Sequence, residues 1–184
     1  MTSSSNGDQW QTLSQIVEIR SQWITLVAER LRDKEGREFE YWRIEKSNSL
    51  LVVVEYRDLL VLPQPTYRPG VARVTRDLAG GRFDGSLSKR TTAQEILRRE
   101  FHLTGAVKAS ITELNKTGWD VDSSTSNQQL YCVVANVDAS TEIPSSRIGT
   151  SYPATVVGGR SLRDDLTCLQ CRGAVEAWLD HRTS

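Results

Sequence analysis

The chain has 184 residues, enough for one domain with a real core. Its 23 basic and 23 acidic residues cancel, which removes any global electrostatic case for nucleic acid or an anionic membrane. Three cysteines argue against a disulfide scaffold and for a reducing cytosol. No stretch approaches the roughly 20 apolar residues of a membrane span, and the polar start MTSSSNGDQ lacks the apolar segment of a signal peptide. A cytoplasmic protein is expected.

In chain order, residues 1–15 are expected to be disordered or frayed and 16–184 to form one domain. Within it, N-terminal strands occupy 16–60, and a core with a C-terminal helix occupies 61–184. The run WITLVAERLRD, the turn DKEG and the alternating EFEYWRIEK predict a hairpin. LLVVVEYRDLLVLPQ predicts two strands with a break near Tyr56–Asp58, the first buried on both faces. Gly80-Gly81 marks a tight corner. From Thr92 to Leu103 the period changes: Ala93, Ile96, Leu97 and Phe101 share one helical face, and Gly105 offers a stop. VKASITELNKTGWDV gives a strand and then a loop, with a polar stretch at Asp120–Asn127. QQLYCVVANVD is a strong strand, and Ser140–Gly159 reads as irregular. SLRDDLTCLQCRGAVEAWLDHR reads as one amphipathic helix. Strands first, a central helix, more strands and a final helix make the class α+β.

The segment LPQPTYRPGVARVTRDLAGGRFDG, Leu62–Gly85, resembles the entry to the Nudix box of ADP-ribose pyrophosphatases. Tyr67-Arg68-Pro69-Gly70 and Asp77-Leu78-Ala79-Gly80-Gly81-Arg82-Phe83-Asp84 carry the likeness, which extends from about Trp23 to Trp178. It implies an α/β/α sandwich with a mixed sheet, preceded by a small N-terminal antiparallel sheet through which a homodimer forms. The ligand class implied is a nucleoside diphosphate derivative. The chemistry implied is Mg²⁺-assisted hydrolysis by glutamates on one helix face.

The box G-x5-E-x7-R-E-U-x-E-E-x-G-U, with U apolar, is degenerate here. With Gly81 as its first glycine and one residue deleted near Gly85, Ser86 stands at the early glutamate. Gln94-Glu95-Ile96 stand at R-E-U, Arg98 and Arg99 at the glutamate pair, and Phe101 at the late glycine. A rival frame sets Arg99-Glu100-Phe101 on R-E-U and puts Leu103 and Thr104 at the pair. Both frames lose the pair. Gln128 occupies the expected position of a downstream glutamate, and an amide is no general base at neutral pH.

Each candidate has a plain alternative. Glu95 is either the one surviving metal ligand and catalytic carboxylate or the partner of Thr92 in a capping box. Arg98, Arg99 and His102 form either a solvated face, with a Glu95–Arg99 pair, or an anion site. Arg68, Gly80, Gly81, Arg82 and Gln128 are the remaining expected contacts to ligand. In the family the carbonyl at the place of Gly80 can reach the metal. Trp42 is either a base-stacking residue or a core or dimer contact. Cys168 and Cys171 read as buried structural cysteines, because zinc needs more ligands and His181 is the only one nearby.

Two functions follow. One is a nucleotide-derivative-binding module with weak or absent hydrolysis and no cofactor. The other is an active Mg²⁺-dependent ADP-ribose pyrophosphatase that has rebuilt its carboxylate set from Glu100, Asp84 and Asp120 or Asp122.

Overall fold

The computed structural model describes residues 9–103 and 107–183. Two compact units divide the chain: Met1–Ser47 with Asp120–Gln128, and Asn48–Trp119 with Gln129–Ser184.

The first unit carries an antiparallel sheet in the order β1-β2-β3: Gln11–Arg20, Thr25–Arg32 and Glu38–Glu45. β1 was not foreseen and begins inside the segment expected to be frayed; residues 1–8 lie outside the described residues. Its apolar side chains gave no sign of a buried face because none is fully buried. The expected hairpin is present. The Asp33 carboxylate accepts the backbone N–H groups of Glu35 and Arg37, and Gly36 takes φ +81°, a conformation that disfavours a side chain. The polar loop 120–128 is organised by Asp122, which accepts from the backbone and hydroxyls of Ser124 and Thr125. These hydrogen bonds hold its carboxyl at about 2.

The second unit is a mixed sheet. β4 (Asn48–Tyr56) lies at its centre, parallel to β11 (Gln129–Val137) and antiparallel to β5 (Leu59–Pro63) and β8 (Ala79–Phe83). β9 (Ala109–Glu113) and β10 (Trp119–Asp120) flank β11, and β12 (Ile148–Pro153) flanks β5. A separate ribbon pairs β6 (Thr66–Arg68) with β7 (Arg73–Thr75). The β4–β5 break is a two-residue turn with Arg57 and Asp58 both at positive φ.

β4 is apolar on both faces, and its period of two divides the core. Leu50, Val52, Val54 and Tyr56 pack with Ala93, Ile96, Leu97 and Phe101 of α1 (Lys89–Phe101). On the other face Glu55 accepts the indole N–H of Trp178 at 2.6 Å. Trp178 belongs to α3 (Leu169–Thr183), which packs with α2 (Val156–Asp165). Trp178 is fully buried, and a side chain at Gly159 would collide with its ring. The layers are therefore helix, sheet and helices.

The single C-terminal helix is corrected to two. Leu166 caps α2 in an extended conformation while buried, which ends the helix although the apolar spacing runs on. β12 and the start of α2 occupy much of the stretch expected to be irregular. Among the described residues no helix is long and apolar enough to cross a membrane.

Candidate functional site

The strand-to-helix corner brings together Gly80, Gly81 and Arg99 among the expected residues. β8 runs beside β4, with Gly80 opposite Leu51 and Gly81 opposite Leu50. A Cβ on Gly80 would come within 2.6 Å of Leu51 Cδ2, and one on Gly81 within 3.1 Å of Ile96 Cγ1. The two glycines thus let β8 lie against both β4 and α1. After Phe83 the chain turns through Asp84, whose carboxylate accepts from the N–H and hydroxyl of Ser86. Those bonds hold the Asp84 carboxyl below the usual range.

α1 starts earlier than expected. Ser88 is its N-cap and accepts the backbone N–H of Thr91. The Thr92–Glu95 capping box is therefore corrected: Thr92 is inside the helix and buried, and Glu95 is exposed in the second turn. The helix ends at His102, which takes φ +51° and returns its N–H to Arg98 O. The expected stop, Gly105, lies outside the described residues.

Arg99 is the residue that links helix to corner. Its Nη2 donates to the carbonyl of Gly80 at 2.6 Å, and its Nε and Nη2 donate to Glu100 Oε1 at 3.0 and 2.8 Å. The expected Glu95–Arg99 pair is replaced by this Arg99–Glu100 pair, because the guanidinium turns toward the glycines. The Arg98 side chain is exposed and, like that of Glu95, makes no hydrogen bond or ion pair among the described residues. His102, expected on the same face, is a cap residue.

The other expected contacts are distributed. Arg82 is exposed on β8, opposite Ser49. Arg68 Nε donates at 2.9 Å to Asp77 Oδ2, which also accepts from Thr75 Oγ1 at 2.8 Å. Gln128 is buried in the first unit. Trp42 is half-exposed on β3, its indole N–H on Glu40 at 2.6 Å. A shallow groove of about 530 Å³ lies elsewhere in the second unit, lined by Glu113, Trp119, Glu176, Asp180 and His181 among others; it includes none of the corner residues. Sequence reasoning missed the contact between Arg99 and Gly80. The only available signal was the tightness of a glycine corner followed by a basic helix face.

No family model and no curated protein sequence matches this chain. Its fold does match solved structures, with 140 chains in the comparison. One is the crystal structure of an ADP compounds hydrolase, which superposes with a TM-score of 0.74 over 97% of this chain and 98% of that one at 18% identity. At that identity the likeness is one of fold. Among the described residues the chain has a Nudix-like α/β/α fold with a mixed sheet, three α-helices and a small N-terminal antiparallel sheet.

Proposed function

We propose that this chain is a Nudix-like module that binds a nucleoside diphosphate derivative of the ADP-ribose type and hydrolyses it weakly or not at all. One observation carries the reading: the Arg99 guanidinium is hydrogen-bonded to the Gly80 carbonyl. The resemblance places a metal at that carbonyl and a glutamate at position 99. Here a side-chain cation occupies the carbonyl instead.

The same contact favours one frame of the box. With Gln94-Glu95-Ile96 at R-E-U, the glutamate pair falls on Arg98 and Arg99, and Arg99 reaches the corner. The rival frame needs Leu103, which lies beyond the helix cap and is buried. Thr104 lies outside the described residues.

These residues do not fit Mg²⁺. The ion takes near-octahedral oxygen ligands, with carboxylates as its usual protein anchors. Glu95 is the one carboxylate retained from the metal set, Arg98 and Arg99 bring two positive charges, and the Gly80 carbonyl already accepts a hydrogen bond. The positive groups suit a diphosphate directly, since charge-assisted arginine–phosphate bonds are strong and often bidentate. Arg98 is the donor left to ligand, while Arg99 shares its remaining N–H groups between the corner and ligand. Arg82 on the neighbouring strand extends the basic face. Exposed apolar side chains on the first unit, including Trp10, Ile19, Trp23 and Trp42, support a second copy of this chain as partner.

A second reading keeps hydrolysis, because Glu95 is exposed and has no partner among the described residues. Assaying AMP release from ADP-ribose with Mg²⁺ separates the two. The proposal expects turnover far below the usual range of about 1–10³ s⁻¹, together with ADP-ribose binding that weakens in Arg98→Ala/Arg99→Ala. Ordinary turnover, or binding indifferent to both substitutions, would overturn it.

A further inference from the structure

The C-x-x-C takes no part in the proposed nucleotide site. Cys168 stands immediately before α3, and Cys171 lies in its first turn. One carboxylate oxygen of Asp77 and the two Sγ atoms lie within 4.8 Å of one another. Asp77 comes from the segment that leads into β8, distant in sequence from the cysteines. The sequence alone offered only His181 as a further ligand; folding supplies Asp77 instead.

Asp77 is oriented by Arg68 and Thr75, both on its Oδ2. Cys171 is buried, whereas Cys168 and Asp77 are partly exposed, so the cluster has one open side.

We infer that Asp77, Cys168 and Cys171 form a site for one thiophilic divalent cation of the zinc class, with solvent in the fourth position. Tetrahedral bonds of about 2.0–2.3 Å hold ligand atoms about 3.5–3.8 Å apart, so the cluster closes by shifts of about 1 Å. Two thiolates select such a metal over magnesium. Binding drives off whatever thiol protons remain, so affinity falls as pH falls. The ion pins the entry of β8 to the start of α3. This site is independent of the nucleotide reading: loss of ADP-ribose binding would leave it standing.

The test is titration of reduced, metal-free protein with Co²⁺, a spectroscopic stand-in for Zn²⁺. A thiolate-to-cobalt charge-transfer band should saturate at one ion per chain and disappear on adding Zn²⁺. Cys168→Ser or Cys171→Ser should abolish the band. Asp77→Asn should weaken Co²⁺ binding by about tenfold or more, with circular dichroism confirming that each variant is folded. The wild-type titration judges the proposal even if a variant unfolds. No band in reduced wild type, with the cysteines only ever closing to a disulfide, would overturn the site. So would a band that survives either serine substitution, or full affinity in folded Asp77→Asn.

Discussion

Replacing Arg99 by glutamate tests whether a side-chain cation has taken the place of a metal at the glycine corner. Arg99→Glu removes the 2.6 Å bond to Gly80 O and the pair with Glu100. The Arg99 side chain is 59% exposed, so the surface pair with Glu100 contributes little. The bond to the carbonyl is the main loss, nominally about 1.5–3 kcal/mol for a charged hydrogen bond and about 1–2 kcal/mol after solvent screening. The new carboxylate lies one turn from Glu95, which adds a few tenths of a kcal/mol of repulsion. For a chain of this size, about 2–4 °C per kcal/mol gives a Tm lower by about 2–8 °C. The substitution also creates a carboxylate pair beside a freed carbonyl. Mg²⁺ should therefore raise the variant's Tm while leaving wild type unmoved. Arg99→Gln, which keeps a donor without charge, should lose less and ignore Mg²⁺. Differential scanning calorimetry with and without Mg²⁺ reads all three proteins. A variant that melts like wild type, or a wild type that gains as much from Mg²⁺, would refute the reasoning.

Trp178→Ala should cost about 3–5 kcal/mol, because the ring is fully buried against Gly159 and its N–H satisfies Glu55; urea unfolding should show the lower midpoint. Cys168 should be alkylated first in reduced, metal-free protein, as Cys171 beside it holds its thiol below the usual cysteine range. Its thiolate therefore persists to lower pH than that of an ordinary cysteine, so labelling should continue below the pH at which a free thiol falls silent. Burial pushes Cys132 up to about 12, and the neighbouring Cys168, together with burial, raises Cys171, so peptide mapping should find both Cys132 and Cys171 protected in the folded protein. Light scattering should give twice the chain mass for wild type and a lower mass for Ile19→Lys/Trp23→Lys, since those side chains are 58% and 61% exposed.

What the sequence made legible follows from local chemistry. The Asp33–Gly36 hairpin was readable because its turn residues act on their own backbone. The core helix was readable because Ala93, Ile96, Leu97 and Phe101 do form its buried face. Its start was misplaced because Ser88 caps it and nothing apolar marks the first turn. The two-helix C-terminus was hidden by spacing that runs through the break; Leu169, expected on the apolar face, is 79% exposed. The site was half legible. The glycine corner and the basic face each stand out, but the bond between Gly80 and Arg99 joins residues 19 apart and exists only once β8 packs on α1. Asp77 beside Cys168 and Cys171 is similarly a product of tertiary structure.

Calorimetric titration of ADP-ribose into wild-type protein, once in EDTA and once in Mg²⁺, tests the central claim most directly. If Arg98 and Arg99 replace the metal, the two Kd values should agree within error, and Arg98→Ala/Arg99→Ala should raise the Kd in EDTA by about tenfold or more, the lower end of one charged hydrogen bond. Binding that appears only with Mg²⁺, or that persists unchanged without both arginines, would contradict the account.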